Sequence, residues 1–91
     1  PWSGPVGKLA GVEIPITPEL QQIAVTTPLD WLPDDFPFVI DFEQRLYYHI
    51  EGEGLLTGQS IVGRPPTWEQ KVDPDWTVHH FGNAIARLPK L

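Results

Sequence analysis

The run Phe38-Val39-Ile40-Asp41-Phe42-Glu43-Gln44-Arg45-Leu46-Tyr47-Tyr48-His49-Ile50-Glu51-Gly52-Glu53-Gly54-Leu55-Leu56-Thr57 holds three apolar segments separated by two polar turns. In residues 38–42, Phe38, Ile40 and Phe42 fall on one side of a strand. Glu43-Gln44-Arg45 turns the chain. Residues 46–51 run back, with Leu46, Tyr48 and Ile50 on one face and Tyr47, His49 and Glu51 on the other, because side chains alternate along a strand. Gly52-Glu53-Gly54 makes a tight turn, and residues 55–57 pair again. Short connections of this kind join antiparallel neighbours.

Upstream, residues 28–37 carry three prolines and three aspartates and read as loop, since these residues set turns and break ladders. Residues 20–27 read as a strand, with Ile23 and Val25 opposite Gln22, Ala24 and Thr26. Val12, Ile14 and Ile16 alternate with Glu13 and Pro15, the pattern of an edge strand that tolerates proline. Residues 3–11 read as a short helix: Ser3 caps it, Pro5 suits the first turn, and Gly11 stops it. Gly4 and Gly7 weaken that helix.

Downstream, residues 59–72 have no clear period, which is uncommon in a small domain unless the segment packs or functions. The last element is the clearest. Asp73 caps, Pro74 takes the first helical position, Asp75 lies in the positive first turn, and Arg87 sits near the negative end before Pro89. Val78, Phe81, Ile85 and Leu88 recur at helical spacing. The expected fold class is α+β: an antiparallel β-meander of about five strands flanked by a short N-terminal and a longer C-terminal helix.

With 91 residues the chain holds one domain at most. Its 12 acids against 6 bases leave a net charge of −6, and no basic patch exists for nucleic acid. Seven acids and a single base, Arg45, lie within residues 30–54, which therefore account for the whole net charge. Such a run reads as a solvated acidic face. The chain has no cysteine, so a disulfide scaffold and a Cys-ligated metal site are excluded. The longest apolar run, residues 36–40, contains Pro37 and is far short of the ~20 residues of a membrane span. Methionine is absent even at position 1, and the chain is expected to be a piece of a longer protein.

Among possible sites, His79 and His80 are adjacent on a helix and point about 100° apart. With His49 on a strand, they form no zinc-like spacing. The glycines at 52, 54 and 58 sit between two strands, one residue too far apart for a dinucleotide loop. Ser3 and Ser60 lie in no nucleophile elbow, so no catalytic residue is assigned. Leu46-Tyr47-Tyr48-His49 is the notable surface: only one tyrosine can face the core, and the other faces solvent, a partner or a ligand. Aromatic rings with polar tips suit a pocket, although tyrosine is also ordinary in strands. Of the four tryptophans, Trp2, Trp31 and Trp68 fall in terminal or loop segments and could cover surfaces that meet a larger protein.

In order and spacing, these segments resemble a known family. Pro1-Trp2-Ser3-Gly4 leading to Leu9-Ala10-Gly11-Val12-Glu13-Ile14-Pro15-Ile16 resembles a segment of FAD-dependent amine and amino-acid oxidoreductases, the D-amino-acid oxidase and sarcosine oxidase family. Pro18 with Gln22-Ile23-Ala24-Val25-Thr26-Thr27-Pro28 looks like its next strand. Pro37-Phe38-Val39-Ile40-Asp41, Leu46-Tyr47-Tyr48-His49 and Gly54-Leu55-Leu56-Thr57-Gly58 resemble its substrate-domain meander. Asp73-Pro74-Asp75-Trp76 through Leu88-Pro89-Lys90-Leu91 is similar to the following helix. The likeness covers nearly the whole chain and is nearest to the sarcosine oxidase β-subunit-like and glycine or proline dehydrogenase-like branch.

The resemblance implies that residues 1–91 are one segment of the substrate-binding domain of a larger flavoprotein. FAD would be held by a separate domain, absent from this chain, which alone would be inactive. The implied substrate is a small amine or amino acid (sarcosine-, glycine- or proline-like), oxidised at its C–N bond by hydride loss to the flavin. By the same resemblance Tyr48 lines the substrate pocket with Tyr47 and His49 beside it, and Trp2 lies on the cofactor side. Leu56 stands where oxidases of the family carry an oxygen-activating lysine, and Ser60 where they carry a histidine, which favours a dehydrogenase. The implied location is intracellular, in the cytoplasm or the mitochondrial matrix. The alternative is a stand-alone binding or interaction module without catalysis.

Overall fold

A computed structural model describes all residues 1–91. The elements in order are α1 (Ser3–Leu9), β1 (Ile23–Val25), β2 (Val39–Asp41), β3 (Leu46–Glu51), β4 (Gly54–Gln59) and α2 (Pro74–Arg87). The four strands form one antiparallel sheet in the order β1-β4-β3-β2. The chain is therefore α+β, with β2, β3 and β4 as the expected meander and β1 added along β4.

Two units divide the chain. The first joins Pro1–Leu20 to Ile61–Lys71, and the second joins Gln21–Ser60 to Val72–Leu91. Glu13, Glu19 and Glu69 balance Lys8, Arg64 and Lys71 in the first unit, so the net charge of the protein resides entirely on the second.

In the second unit, turn chemistry sets the register. Glu51 pairs with Gly54, leaving a two-residue turn whose first member, Gly52, has φ 61°. Only glycine takes that position without strain, and this turn matches the twist of the flanking strands. Gly54 meets a different demand: a Cβ there would lie 2.6 Å from Thr26 Oγ1 and 2.9 Å from the Thr27 carbonyl oxygen. At the other end of β3, Asp41 Oδ1 accepts from the Gln44 N–H at 2.9 Å, and Arg45 closes the turn at φ 56°.

The helix α2 begins as its sequence dictates. Asp73 Oδ1 accepts from the N–H groups of Asp75 (3.1 Å) and Trp76 (3.2 Å), and Pro74 occupies the first turn. The buried stripe is Trp76, His80 and Ala84. Of the four apolar residues at helical spacing, Phe81 and Leu88 are half-buried and Val78 and Ile85 are exposed. Tyr48 and Leu46 of β3 pack on Ala84, with Phe36, Val39, Leu88 and Leu91 around them. Three polar ties fix the same face: Tyr48 Oη donates to the Ala84 carbonyl at 2.9 Å, Arg87 Nε donates to Asp41 Oδ2 at 2.9 Å, and Asn83 Nδ2 donates to Gln59 Oε1 at 3.2 Å.

In the first unit, α1 follows Trp2, which makes no side-chain cap, so Ser3 lies inside the helix and is not its cap. Gly4 and Gly7 are the buried residues of α1. A Cβ at Gly7 would meet Ile14 Cδ1 at 2.8 Å and the Val12 carbonyl oxygen at 2.9 Å, so glycine permits the following segment to lie against the helix.

That segment corrects the expected strand count. Residues 12–16 form no strand, so the sheet has four strands and not about five. The Val12 N–H bonds to the Gly7 carbonyl at 2.9 Å and the Ile16 N–H to the Ile14 carbonyl at 2.8 Å. Pro15 has no N–H to offer. The donors a ladder would need are thus used locally.

Candidate functional site

The register assigns each sheet residue to a face, since residues directly opposite one another point the same way. One face is the side under α2 and carries Leu46, Tyr48, Leu55 and Thr57, all buried. On the other face Ile40, Tyr47, Gly58 and Ile23 form one row, and His49, Leu56 and Val25 form the next. Within the second unit no element covers this face. Phe38 remains 60% exposed, and Ile23, Val25 and Ile40 are exposed as well.

Three rings meet there. Phe38 stands edge-on to Tyr47, with centroids 6.2 Å apart, and edge-on to His49 at 5.6 Å. Both spacings are those of favourable aromatic pairs. Tyr47 lies flat across Gly58, where any Cβ would run into its ring and hydroxyl. Glycine at 58 is therefore what lets the ring lie down on the sheet. His49 Nδ1 is 2.7 Å from the Ile50 carbonyl oxygen. A carbonyl only accepts, so Nδ1 carries the proton and Nε2 keeps a lone pair in the neutral ring. The result is an apolar platform with two polar tips, the Tyr47 hydroxyl and His49 Nε2.

A hollow of about 260 Å³ adjoins it, lined by Ile40, Phe42, Arg45, Tyr47 and Ser60 among others. A second hollow of about 360 Å³ is lined in part by Asp30, Asp34 and Glu53.

The expected site residues thus have different placements. Tyr47 and His49 come together on the open face, joined by Phe38, whose part was not foreseen. The signal for Phe38 lay in the strand register, which a four-residue turn ending at a left-handed Arg45 leaves undefined until the pairing is seen. Tyr48 lies on the opposite face. It is 2% exposed, with its hydroxyl bonded to Ala84, and burial pushes its phenol up to about 12.

Trp2 belongs to the first unit. Its ring packs on Trp68 at 4.6 Å and 36°, and it lines an apolar hollow of about 620 Å³ with Val6, Ala10, Val12 and Ile14. The glycines of residues 52–58 lie in a hairpin turn and in β4, with no helix opening after them. These residues do not form a dinucleotide cradle. No group of three or more His, Asp or Glu side chains converges as metal ligands would. No helix is long and apolar enough to cross a membrane.

Comparison with known proteins adds one line of similarity. The chain is 29% identical to human mitochondrial sarcosine dehydrogenase over 100 aligned positions, covering 99% of this chain and 11% of that protein. The mouse mitochondrial sarcosine dehydrogenase matches to the same extent. The chain therefore spans about a ninth of the length of these relatives. No family model matches it, and no solved structure does.

Proposed function

We propose that this chain is part of the substrate-side domain of a larger FAD-dependent oxidoreductase, one that oxidises the C–N bond of a small secondary or tertiary amine or amino acid. The observation that carries this reading is the uncovered sheet face, with Phe38, Tyr47 and His49 clustered on it between exposed aliphatic side chains. Apolar surface of this extent on a small domain marks a place where something else sits. The similarity to sarcosine dehydrogenase over 99% of the chain supports the same reading.

In this reading Tyr47 and His49 meet the substrate, with Tyr48 behind them in the same strand, and Phe38 holds the two rings in place. Trp2 lies toward the cofactor. The flavin and its binding domain are supplied from outside these 91 residues. Leu56 in place of a lysine on β4 supports electron transfer to an acceptor other than oxygen, hence a dehydrogenase. The parent protein would work in the mitochondrial matrix or the cytoplasm.

The deciding experiment is the intact mass and visible spectrum of the polypeptide as it occurs in its source. The expected result is a mass several times 10.3 kDa with flavin absorbance, and bleaching of that absorbance by an N-methyl amino acid under anaerobic conditions. A native mass near 10.3 kDa without flavin would remove the enzyme reading and leave a small binding module.

A further inference from the structure

On the covered side of the sheet, α2 buries an imidazole without any hydrogen bond. His80 has no accessible surface. Its ring stacks on Trp76 at 4.5 Å and 12° and lies 5.5 Å from the Phe81 ring. Neither ring nitrogen has a partner, and neither does the buried Thr57 hydroxyl on β4. Buried polar atoms in folded proteins are nearly always paired, so an orphan of this kind calls for an explanation. A neutral imidazole leaves one donor and one acceptor unmade. A protonated one leaves two donors and a full charge, which is far costlier to bury.

The surroundings give the charged form no help. On α2, His79 is adjacent, while Asp73, Asp75 and Arg87 lie toward the helix ends. The Asp73 carboxylate caps the helix, and Arg87 is held by Asp41 of β2. From β3 comes Tyr48, a phenol that stays neutral, and from β4 come Leu55, Thr57 and Gln59, which do not titrate. On β1, Ala24 lies opposite Thr57 and carries no charge. Burial pushes the His80 imidazole below its ordinary 6.5, and His79 acts in the same direction. His79 Nε2 lies 3.1 Å from Asn83 Nδ2.

We propose that His80 is a proton-controlled latch for α2. While neutral, it lets the Trp76–His80–Ala84 stripe lie on the sheet. Once protonated, it must reach water, and the helix lifts, releasing the Ala84 carbonyl from Tyr48. The open helix binds a proton that the docked helix refuses, so acid favours opening. Protection is complete above the ordinary imidazole range and declines as pH falls below 6.5. The device depends on no reaction and stands apart from the proposed function.

Hydrogen–deuterium exchange of the α2 amides, corrected for intrinsic rates, tests this in the polypeptide as it occurs in its source. Protection is expected to fall about tenfold between pH 7.5 and 5.5. In His80→Phe, which keeps an aromatic ring on Trp76, the fall should vanish; in His79→Gln it should remain. If His80→Phe does not fold, NMR titration of the wild-type imidazoles decides. His80 should still show the shifts of a neutral ring at pH 6.5, the ordinary imidazole value. Flat protection in the wild type, a response that follows His79, or a His80 midpoint at 6.5 would each overturn the proposal.

Discussion

Tyr47 and Tyr48 are neighbours in one strand, yet they live in different surroundings. Tyr48 is sealed between sheet and helix, its hydroxyl bonded to a helix carbonyl. Tyr47 lies on an open face, resting on a glycine and touched edge-on by Phe38. The two faces of this sheet are built to different ends. Under α2, apolar packing and three polar ties hold the fold together. On the other side, aromatic and β-branched side chains are ordered without being covered. Stability should therefore reside on the first face, and the second should tolerate substitution.

The sharpest way to break this comparison is to truncate both tyrosines. Tyr48→Ala should cost about 3–5 kcal/mol, read as a lower denaturant midpoint at unchanged slope. Tyr47→Ala should cost less than about 1 kcal/mol, because its ring already faces solvent. Equal losses would mean that the two faces do not differ as described.

Gly58→Ala comes next. A Cβ at that position displaces the Tyr47 ring, the movable end of a half-exposed side chain, so the cost should stay within the roughly 1 kcal/mol of losing that ring altogether. The Tyr47 ring resonances, followed by NMR, should shift as the ring leaves the sheet. A variant as stable as the parent with unchanged Tyr47 shifts would show that the ring does not need the glycine.

Tyr48→Phe removes a single hydroxyl and leaves the Ala84 carbonyl without its side-chain partner. The expected loss is about 1 kcal/mol, measurable by the same denaturant series. A loss several times larger would place the hydroxyl in a wider network than the one seen.

The smallest effect concerns Asp41. The Gln44 N–H, and then the Arg87 guanidinium, hold its carboxyl below the usual 3.8. A carboxyl so lowered contributes stability that is present above its unfolded value and lost as pH falls through the folded one. A stability profile from pH 6 to pH 2 should show this loss beginning below about pH 4. Arg87→Ala should flatten it only slightly, since the pair is exposed on the arginine side.

Much of this architecture was legible in the residues. The meander follows from alternation and turn chemistry, and Gly52 at φ 61° is the conformation its turn requires. The start of α2 follows from Asp73 and Pro74, whose roles are local and need no tertiary partner. The fifth strand failed because an alternating pattern reports only that one face is apolar. Residues 12–16 satisfy that condition against α1 through Gly7, without joining a sheet. The helical spacing of Val78, Phe81, Ile85 and Leu88 likewise does not say which side is covered: Trp76, His80 and Ala84 form the buried stripe, while Val78 and Ile85 are exposed.

By itself the sequence determined where the chain turns, which residues share a face, and where α2 begins, because these depend on backbone geometry within a few residues. It also determined that Tyr47 and Tyr48 must part company. The tertiary structure alone decided which of them is buried, because that depends on which face of the sheet α2 covers. Two residues distant in the chain made that choice: the Tyr48 hydroxyl finds the Ala84 carbonyl only when strand and helix meet. The pairing of Phe38 with Tyr47 and His49 follows from the register of β2 on β3, and the burial of His80 without a partner follows from the docking of α2. Both are properties of assembled surfaces, which no local pattern encodes.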